Sequence, residues 1–209
     1  MKGYFISIEG TDGSGKTTQV QKILDYFTQK GLPVVFTREP GGTPIAEKIR
    51  DILLDGSHTA LCSTAEILLY AASRAQHLEE KILPAIQEGK VVLSDRFSDS
   101  MVAYQGFGRG LDISWVEEVN AMATKGKMPD VTIYLDISPE YGIMRKKTDS
   151  EHKLDRLEQE ALEFHQRVYE GYQYLWQKYP HRIHRVDATQ SVEEVFVQIQ
   201  KILDSLFEV

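Results

Sequence analysis

Tyr4-Phe5-Ile6-Ser7-Ile8 runs through Glu9 directly into Gly10-Thr11-Asp12-Gly13-Ser14-Gly15-Lys16-Thr17. The first five residues read as a buried β-strand. From Lys16 to Lys30, Val20, Ile23, Leu24 and Phe27 recur at helical spacing. The eight residues between them fit G-x-x-x-x-G-K-[ST] at every fixed position, and they join strand to helix as a phosphate-binding loop must. Glycines there let backbone N–H groups turn inward around phosphate oxygens, at a helix N-terminus that already carries partial positive charge. In that motif Lys16 reaches the β- and γ-phosphates, and the Thr17 hydroxyl ligates Mg²⁺. The alternative, a glycine-rich turn with no ligand, is disfavoured by all four fixed positions standing in this strand-to-helix setting.

The chain of 209 residues is long enough for one α/β domain with a filled core and too short for two ordinary domains and a linker, so a single domain over residues 1–209 is expected. No apolar run approaches the length that crosses a bilayer, and no cationic, apolar leader precedes the first strand, so neither a membrane nor export is expected. Cys62 is the one cysteine, which excludes an internal disulfide and suits a reducing cytoplasm. A net charge of −7 argues against a chain that coats nucleic acid, because such binding neutralises many phosphates at once. Phosphate contacts must then be local.

Further strand-like segments recur at Pro33–Arg38, Lys90–Asp95, Asp130–Asp136 and Arg182–Asp187, with helical periodicity between them. Such alternation specifies a five-stranded parallel sheet with helices on both faces, the three-layer α/β class of phosphate-loop proteins. Gly31-Leu32-Pro33, Gly89 and Gly126 close helices ahead of strands. From Met144 to Arg156 apolar periodicity gives way to dense charge; this is either a solvated connection or a closing lid.

In an open parallel sheet, ligands bind beyond the carboxyl ends of the strands. Polar clusters end them here: the phosphate loop after the first, Arg38-Glu39-Pro40-Gly41-Gly42 after the second, Asp95-Arg96-Phe97 after the third and Asp187-Ala188-Thr189 after the fifth. Asp95 alone reads equally as a helix cap, and Arg38 with Glu39 as a surface pair. Beside the loop, a carboxylate that ends an apolar strand is placed to hold water in a Mg²⁺ shell. Arg50, Arg74 and Arg96 fall near the same edge, and several guanidinium forks imply a second phosphate-bearing ligand.

The loop with Thr18-Gln19, the Arg38–Gly42 turn, Leu69-Tyr70-Ala71-Ala72-Ser73-Arg74, Asp95-Arg96-Phe97-Ser98-Asp99-Ser100, Ala103-Tyr104-Gln105-Gly106 and Leu154-Asp155-Arg156-Leu157-Glu158 together resemble the bacterial thymidylate kinases. The likeness is ordered and runs nearly from end to end. It implies phosphoryl transfer from ATP to dTMP with Mg²⁺, in a cytoplasmic homodimer, as a step toward dTTP. It further implies a nucleotide-binding segment from Gly10 to Thr18. Tyr70 then stacks on thymine, Arg74 and Gln105 read its edge, Tyr104 crowds the sugar 2′ position, and Ser100 lines the acceptor site. Arg50 and Arg96 hold the dTMP phosphate, with Glu39 and Asp95 near the metal and its waters.

Some thymidylate kinases carry an arginine inside the phosphate loop, and others supply it from the lid. This loop has Asp12 instead, which implies the second arrangement. The lid candidates are Arg145, Lys146, Lys147, Lys153 and Arg156; of these, only Arg145 and Arg156 offer a planar fork that can bridge donor and acceptor oxygens. A GTPase-type switch is disfavoured because no Asn-Lys-x-Asp motif occurs. A kinase for another nucleoside or nucleoside monophosphate, and a regulatory ATP-binding protein, remain open on the residues alone. Apolar content along Thr64–Ile82 and Ser100–Met122 suits either buried helices or a dimer face.

Overall fold

A computed structural model describes residues 2–147 and 155–207. In chain order, β1 (Tyr4–Glu9) leads to α1 (Lys16–Gln29), β2 (Val34–Arg38), α2 (Pro44–Leu54) and α3 (Ser63–His77). α3 runs on through a π-helical turn, Leu78–Ile82, into the short α4 (Leu83–Gln87), followed by β3 (Val91–Asp95). α5 (Ser98–Met101) passes into a second π-helical stretch, Val102–Gly108. There follow α6 (Ile113–Thr124), β4 (Val131–Asp136), α7 (Pro139–Lys147), α8 (Leu162–Lys178), β5 (Ile183–Asp187) and α9 (Val192–Phe207). The five expected strands are present, four of them starting one residue later than read from the sequence. The π-helical stretches were not legible there, because an inserted residue in a helix leaves its apolar composition unchanged.

All strands are parallel, in the order β2-β3-β1-β4-β5. β1 is central because its apolar run can be buried on both faces. Ile6 and Ile8 point to one side with Leu93, Ile133 and Leu135, against Val20, Ile23 and Phe27 of α1 and Ile199 and Leu203 of α9. Phe5 points to the other, where it meets Val92 and the edge of Phe97. The same face, further along, becomes polar: Ser7 shares a hydrogen bond with Thr132, and Glu9 is fully buried. A large second cluster, with Tyr134, Met101, Val116, Phe164, Val168 and Tyr172, packs α3, α6 and α8 over that side.

Register fixes the site. Ile8 lies opposite Asp95, and Arg38 opposite Asp95 on the other flank, so the carboxyl ends of β1, β2 and β3 finish level. The Asp95 carbonyl accepts from Glu39 N at 2.9 Å, and Arg96 N donates to Ile8 O at 3.0 Å. The crevice between the β1 and β3 ends is thereby built from backbone. The first residues of the charged Met144–Arg156 segment belong to α7, while Asp155 and Arg156 lie beyond residues 148–154, which are outside the described part. The expectation for Lys153 falls outside it as well.

Candidate active site

Gly15 caps α1 in a left-handed conformation, φ 90°, where an L side chain is strained. This geometry directs the first backbone N–H groups of α1 toward the crevice. A second close approach explains the loop's setting. A Cβ on Gly13 would run into the carbonyl of Gly142 in α7, and a Cβ on Gly142 into the carbonyl of Asp12. Loop and helix touch backbone to backbone, which only glycine on both sides permits.

Lys16 folds back over the loop, its Nζ donating to the carbonyls of Gly10 and Thr11 at 3.1 Å each. Burial and the nearby Arg96 guanidinium push its ammonium down to about 8, against the pull of Asp12, Asp95 and Glu9. A phosphate chain would favour the charged form and replace two weak carbonyl contacts with stronger ionic ones. Asp95 Oδ1 and Ser14 Oγ are buried and meet no hydrogen-bond partner among the described residues. A buried carboxylate oxygen without a donor has a desolvation cost that a hydrated divalent cation relieves. Together with the Thr17 hydroxyl on the same cavity wall, it is a donor set that fits Mg²⁺.

Arg96 is the hub. It is a non-glycine residue at φ 68°, a conformation that costs energy and is held by what surrounds it. Its Nη1 donates to Gly10 O at 3.0 Å and to the hydroxyls of Tyr172 at 3.0 Å and Ser100 at 3.3 Å. Its Nη2 donates to Asp12 Oδ1 at 2.8 Å and the Tyr104 hydroxyl at 2.9 Å, and its plane lies over the Tyr104 ring. Behind it, Glu9 accepts from Phe97 N, the Ser100 hydroxyl and the Tyr172 hydroxyl at 2.7, 2.6 and 2.8 Å. Burial, and then the Asp99 carboxylate, push Glu9 up to about 7 despite Arg96, the Ser100 hydroxyl and Phe97 N.

The other wall is organised around Arg74. Its Nε donates to Glu39 at 2.7 Å, Nη1 to Asn120 at 2.7 Å, and Nη2 to Phe97 O at 3.1 Å. The second oxygen of Glu39 is taken by His77 Nδ1 at 2.9 Å, and His77 Nε2 meets Thr37 at 2.7 Å. Both Glu39 oxygens are thus engaged with this wall. Arg38 faces the other way, onto Glu47 at 3.0 Å. Gln105, nearly fully buried, donates from its amide nitrogen to Glu66 at 2.9 Å. Arg50 donates to Pro40 O at 2.7 Å.

A single cavity of about 590 Å³ is lined both by Asp12, Lys16, Thr17 and Asp95 and by Arg50, Tyr70, Arg74, Tyr104 and Gln105. The family model for thymidylate kinase matches residues 8–199. The chain belongs to the thymidylate kinase family. It is 49% identical to the thymidylate kinase of Clostridium novyi (strain NT), covering 97% of this chain and 98% of that one. Identity to the thymidylate kinase of Bacillus licheniformis is 50%, over 98% and 96% of the two chains. The crystal structure of thymidylate kinase from Ehrlichia chaffeensis superposes with a TM-score of 0.79 at 33% identity, covering 98% of this chain and 99% of that one.

Arg145 and Arg156, the two arginines expected in a lid, part company in this thymidylate kinase family member. Arg145, on α7, lines the cavity, donates to Ala188 O at 3.0 Å and lies over the Tyr141 ring. Arg156 sits elsewhere: its Nε donates to Leu53 O at 2.8 Å, and its guanidinium lies 2.7 Å from the Glu66 carboxylate. Several organising residues carried no sequence signal. Tyr172, His77, Asn120 and Glu66 lie on helices far in sequence from the atoms they hold. Glu9 was legible only as the last strand residue before the loop.

Proposed function

We propose that this chain transfers the terminal phosphoryl group of ATP to the phosphate of dTMP, giving dTDP and ADP, with Mg²⁺. The observation that carries the reading is the shared cavity: a phosphate loop and a wall of arginines, tyrosines and an amide bound one continuous space. A volume of about 590 Å³ is within the range of small-molecule sites.

Phosphoryl transfer asks for in-line positioning and charge neutralisation more than covalent help, because its transition state is loose. The acceptor oxygen on dTMP is already anionic, so no general base is needed. Lys16 and the inward N–H groups from Gly13 to Thr18 hold the donor phosphates, with Gly10, Thr11 and Ser14 shaping the turn. Thr17, and Asp95 through water, would hold Mg²⁺, which supplies charge neutralisation between the phosphates. On the acceptor side, Arg50 and Arg96 take the dTMP phosphate with Ser100 beside it. Tyr70 stacks on the base, Arg74 and Gln105 read its edge, and Tyr104 crowds the sugar. Glu39 serves this side by fixing Arg74.

Within the Met144–Arg156 lid, Arg145 is the better placed fork for the moving phosphoryl group, since Arg156 is committed to Glu66 and Leu53. Exclusion of water by lid closure would spare ATP from hydrolysis. A homodimer, as the family resemblance implies, would have exposed apolar side chains such as Leu68 on α3 and Met122 on α6 to cover. No helix among the described residues is long and apolar enough to cross a membrane, in keeping with an enzyme of the cytoplasm.

Coupled detection of ADP release, with dTMP, dUMP, dCMP and free thymidine as acceptors, tests the reading. dTMP is expected to give the highest kcat/KM. Faster phosphorylation of dCMP or thymidine would overturn the roles given to Arg74 and Gln105, and no turnover on any acceptor would leave only a nucleotide-binding protein.

A further inference from the structure

Glu66 lies on α3, fully buried, and three side chains, Gln105, Arg109 and Arg156, converge on its two oxygens. Oε1 accepts from Gln105 Nε2 at 2.9 Å and Arg109 Nε at 3.2 Å; Oε2 accepts from Arg109 Nη2 at 3.2 Å and faces Arg156 Nη2 at 2.7 Å. Burial works against its charge, yet Arg109, Gln105 and Arg156 outweigh burial and hold the carboxyl below the usual carboxylate range. It is an anion at any working pH.

An ionised carboxylate offers acceptors only. Gln105 must therefore turn its NH₂ group to Glu66; the flipped amide would set oxygen against oxygen. With the nitrogen spent there, the amide oxygen is the end left for the cavity that Gln105 lines. Arg74, on the same cavity, offers N–H donors only. The wall then reads as one acceptor beside one donor. A pyrimidine with an N–H at ring position 3 and a carbonyl at position 4 complements both. A cytosine-type base, with a bare ring nitrogen and an exocyclic amine, opposes both.

We infer that Glu66 is a specificity-determining residue that acts through Gln105: by locking the amide orientation it selects N3–H pyrimidines over cytosine-type ones. The inference rests on the acceptor reading above and extends it to a residue that never touches the substrate. A positioning residue of this kind leaves a distinct trace. Its loss moves the choice between bases, whereas loss of mere packing lowers stability and activity for both alike.

The test compares kcat/KM for dTMP and dCMP in wild type, Glu66→Gln, Glu66→Asp and Arg109→Gln, with thermal melts alongside. Glu66→Gln lets the amide flip, and the dTMP-to-dCMP ratio is expected to fall about tenfold or more, chiefly through KM. Glu66→Asp keeps the charge for both arginines but withdraws the oxygens by one methylene. It should shift the ratio in the same direction, and it carries the test if Glu66→Gln does not fold. Arg109→Gln loosens the same cluster yet leaves the Glu66–Gln105 bond, so its ratio should stay near that of wild type. A wild-type ratio in both Glu66 variants, or an equal fall in Arg109→Gln, overturns the inference. A wild-type enzyme that makes no dTDP is a different failure, that of the acceptor reading, and the role of Glu66 falls with it.

Discussion

Asp12 Oδ1 accepts from Arg96 Nη2 at 2.8 Å, across the mouth of the phosphate loop, while Asp12 Oδ2 accepts from the Tyr104 hydroxyl at 3.2 Å. A carboxylate on the phosphate loop thus steadies both Arg96 and the Tyr104 ring. Where an arginine in the loop would place a positive charge, this loop places a carboxylate that braces Arg96.

Replacing that brace has a directional consequence. In Asp12→Asn the charge-assisted bond to Arg96 is lost, and Arg96 is freed from one of the contacts that hold its left-handed backbone. Both side chains are partly exposed, so the loss belongs at the low end of the ~1.5–3 kcal/mol typical of hydrogen bonds to charged groups. Steady-state kinetics should show the KM for dTMP rising about tenfold, with the KM for ATP within about threefold of wild type. An unchanged dTMP KM would mean that Asp12 does not hold Arg96 for the acceptor.

The depressed Lys16 sets a pH limit on ATP binding. The free ammonium titrates near 8, and bound phosphates favour its charged form, so the complex keeps its proton to higher pH than the free enzyme. Below about 8 the lysine is charged in both states and affinity is flat. Above it, binding must take up a proton, and affinity falls by up to tenfold per pH unit. Calorimetric titration of ATP between pH 6.5 and 9.5, in buffers of different ionisation enthalpy, reads both the affinity and the proton. Constant affinity across that range would contradict the assignment.

Gly142 is predicted to be intolerant of even one methyl group. In Gly142→Ala the new Cβ meets the Asp12 carbonyl, so loop and α7 must separate. Overpacking of this kind costs ~1–3 kcal/mol, or a fall in Tm of a few degrees for a chain of this size. ATP binding should weaken with it. A melt and an ATP titration both matching wild type would show that the contact between loop and helix is slack.

Glu9 contributes to how stability varies with pH. Its folded value of about 7 lies above the ordinary 4.5, so between those limits the folded state binds more protons than the unfolded one. Stability from this group is complete below about 4.5 and is lost as pH rises through 7, by about 3 kcal/mol in all. Glu9→Gln is less stable at low pH, because an acceptor for Ser100 or Tyr172 is gone, but its stability should decline less between pH 5 and 8. Parallel denaturant-unfolding profiles for the two proteins across that range would rule out a titrating Glu9.

Much of this was written in short stretches of sequence. The strand and loop from Tyr4 to Thr17 fixed the crevice, because strand, glycine spacing and helix are local features with local causes. The place of Asp95 and Arg96 was legible for the same reason: they end an apolar strand, and register brings that end beside the loop. What sequence reading missed depends on packing between distant helices. Glu39 was expected near the metal, yet both its oxygens turn to Arg74 and His77, a pairing set by how α3 lies against β2. Arg145 and Arg156 are equivalent as sequence, and only the geometry separates them by tying Arg156 to Glu66, a residue with no motif of its own.

The most direct test is an end-point assay of the wild-type chain and Lys16→Ala with ATP, Mg²⁺ and dTMP, with products separated by ion exchange. The account predicts dTDP and ADP in equal amounts from the wild type and at least a hundredfold less from the variant, which keeps its fold but has lost the charge on the donor phosphates. Undiminished dTDP from Lys16→Ala, or ADP without dTDP from the wild type, would contradict it.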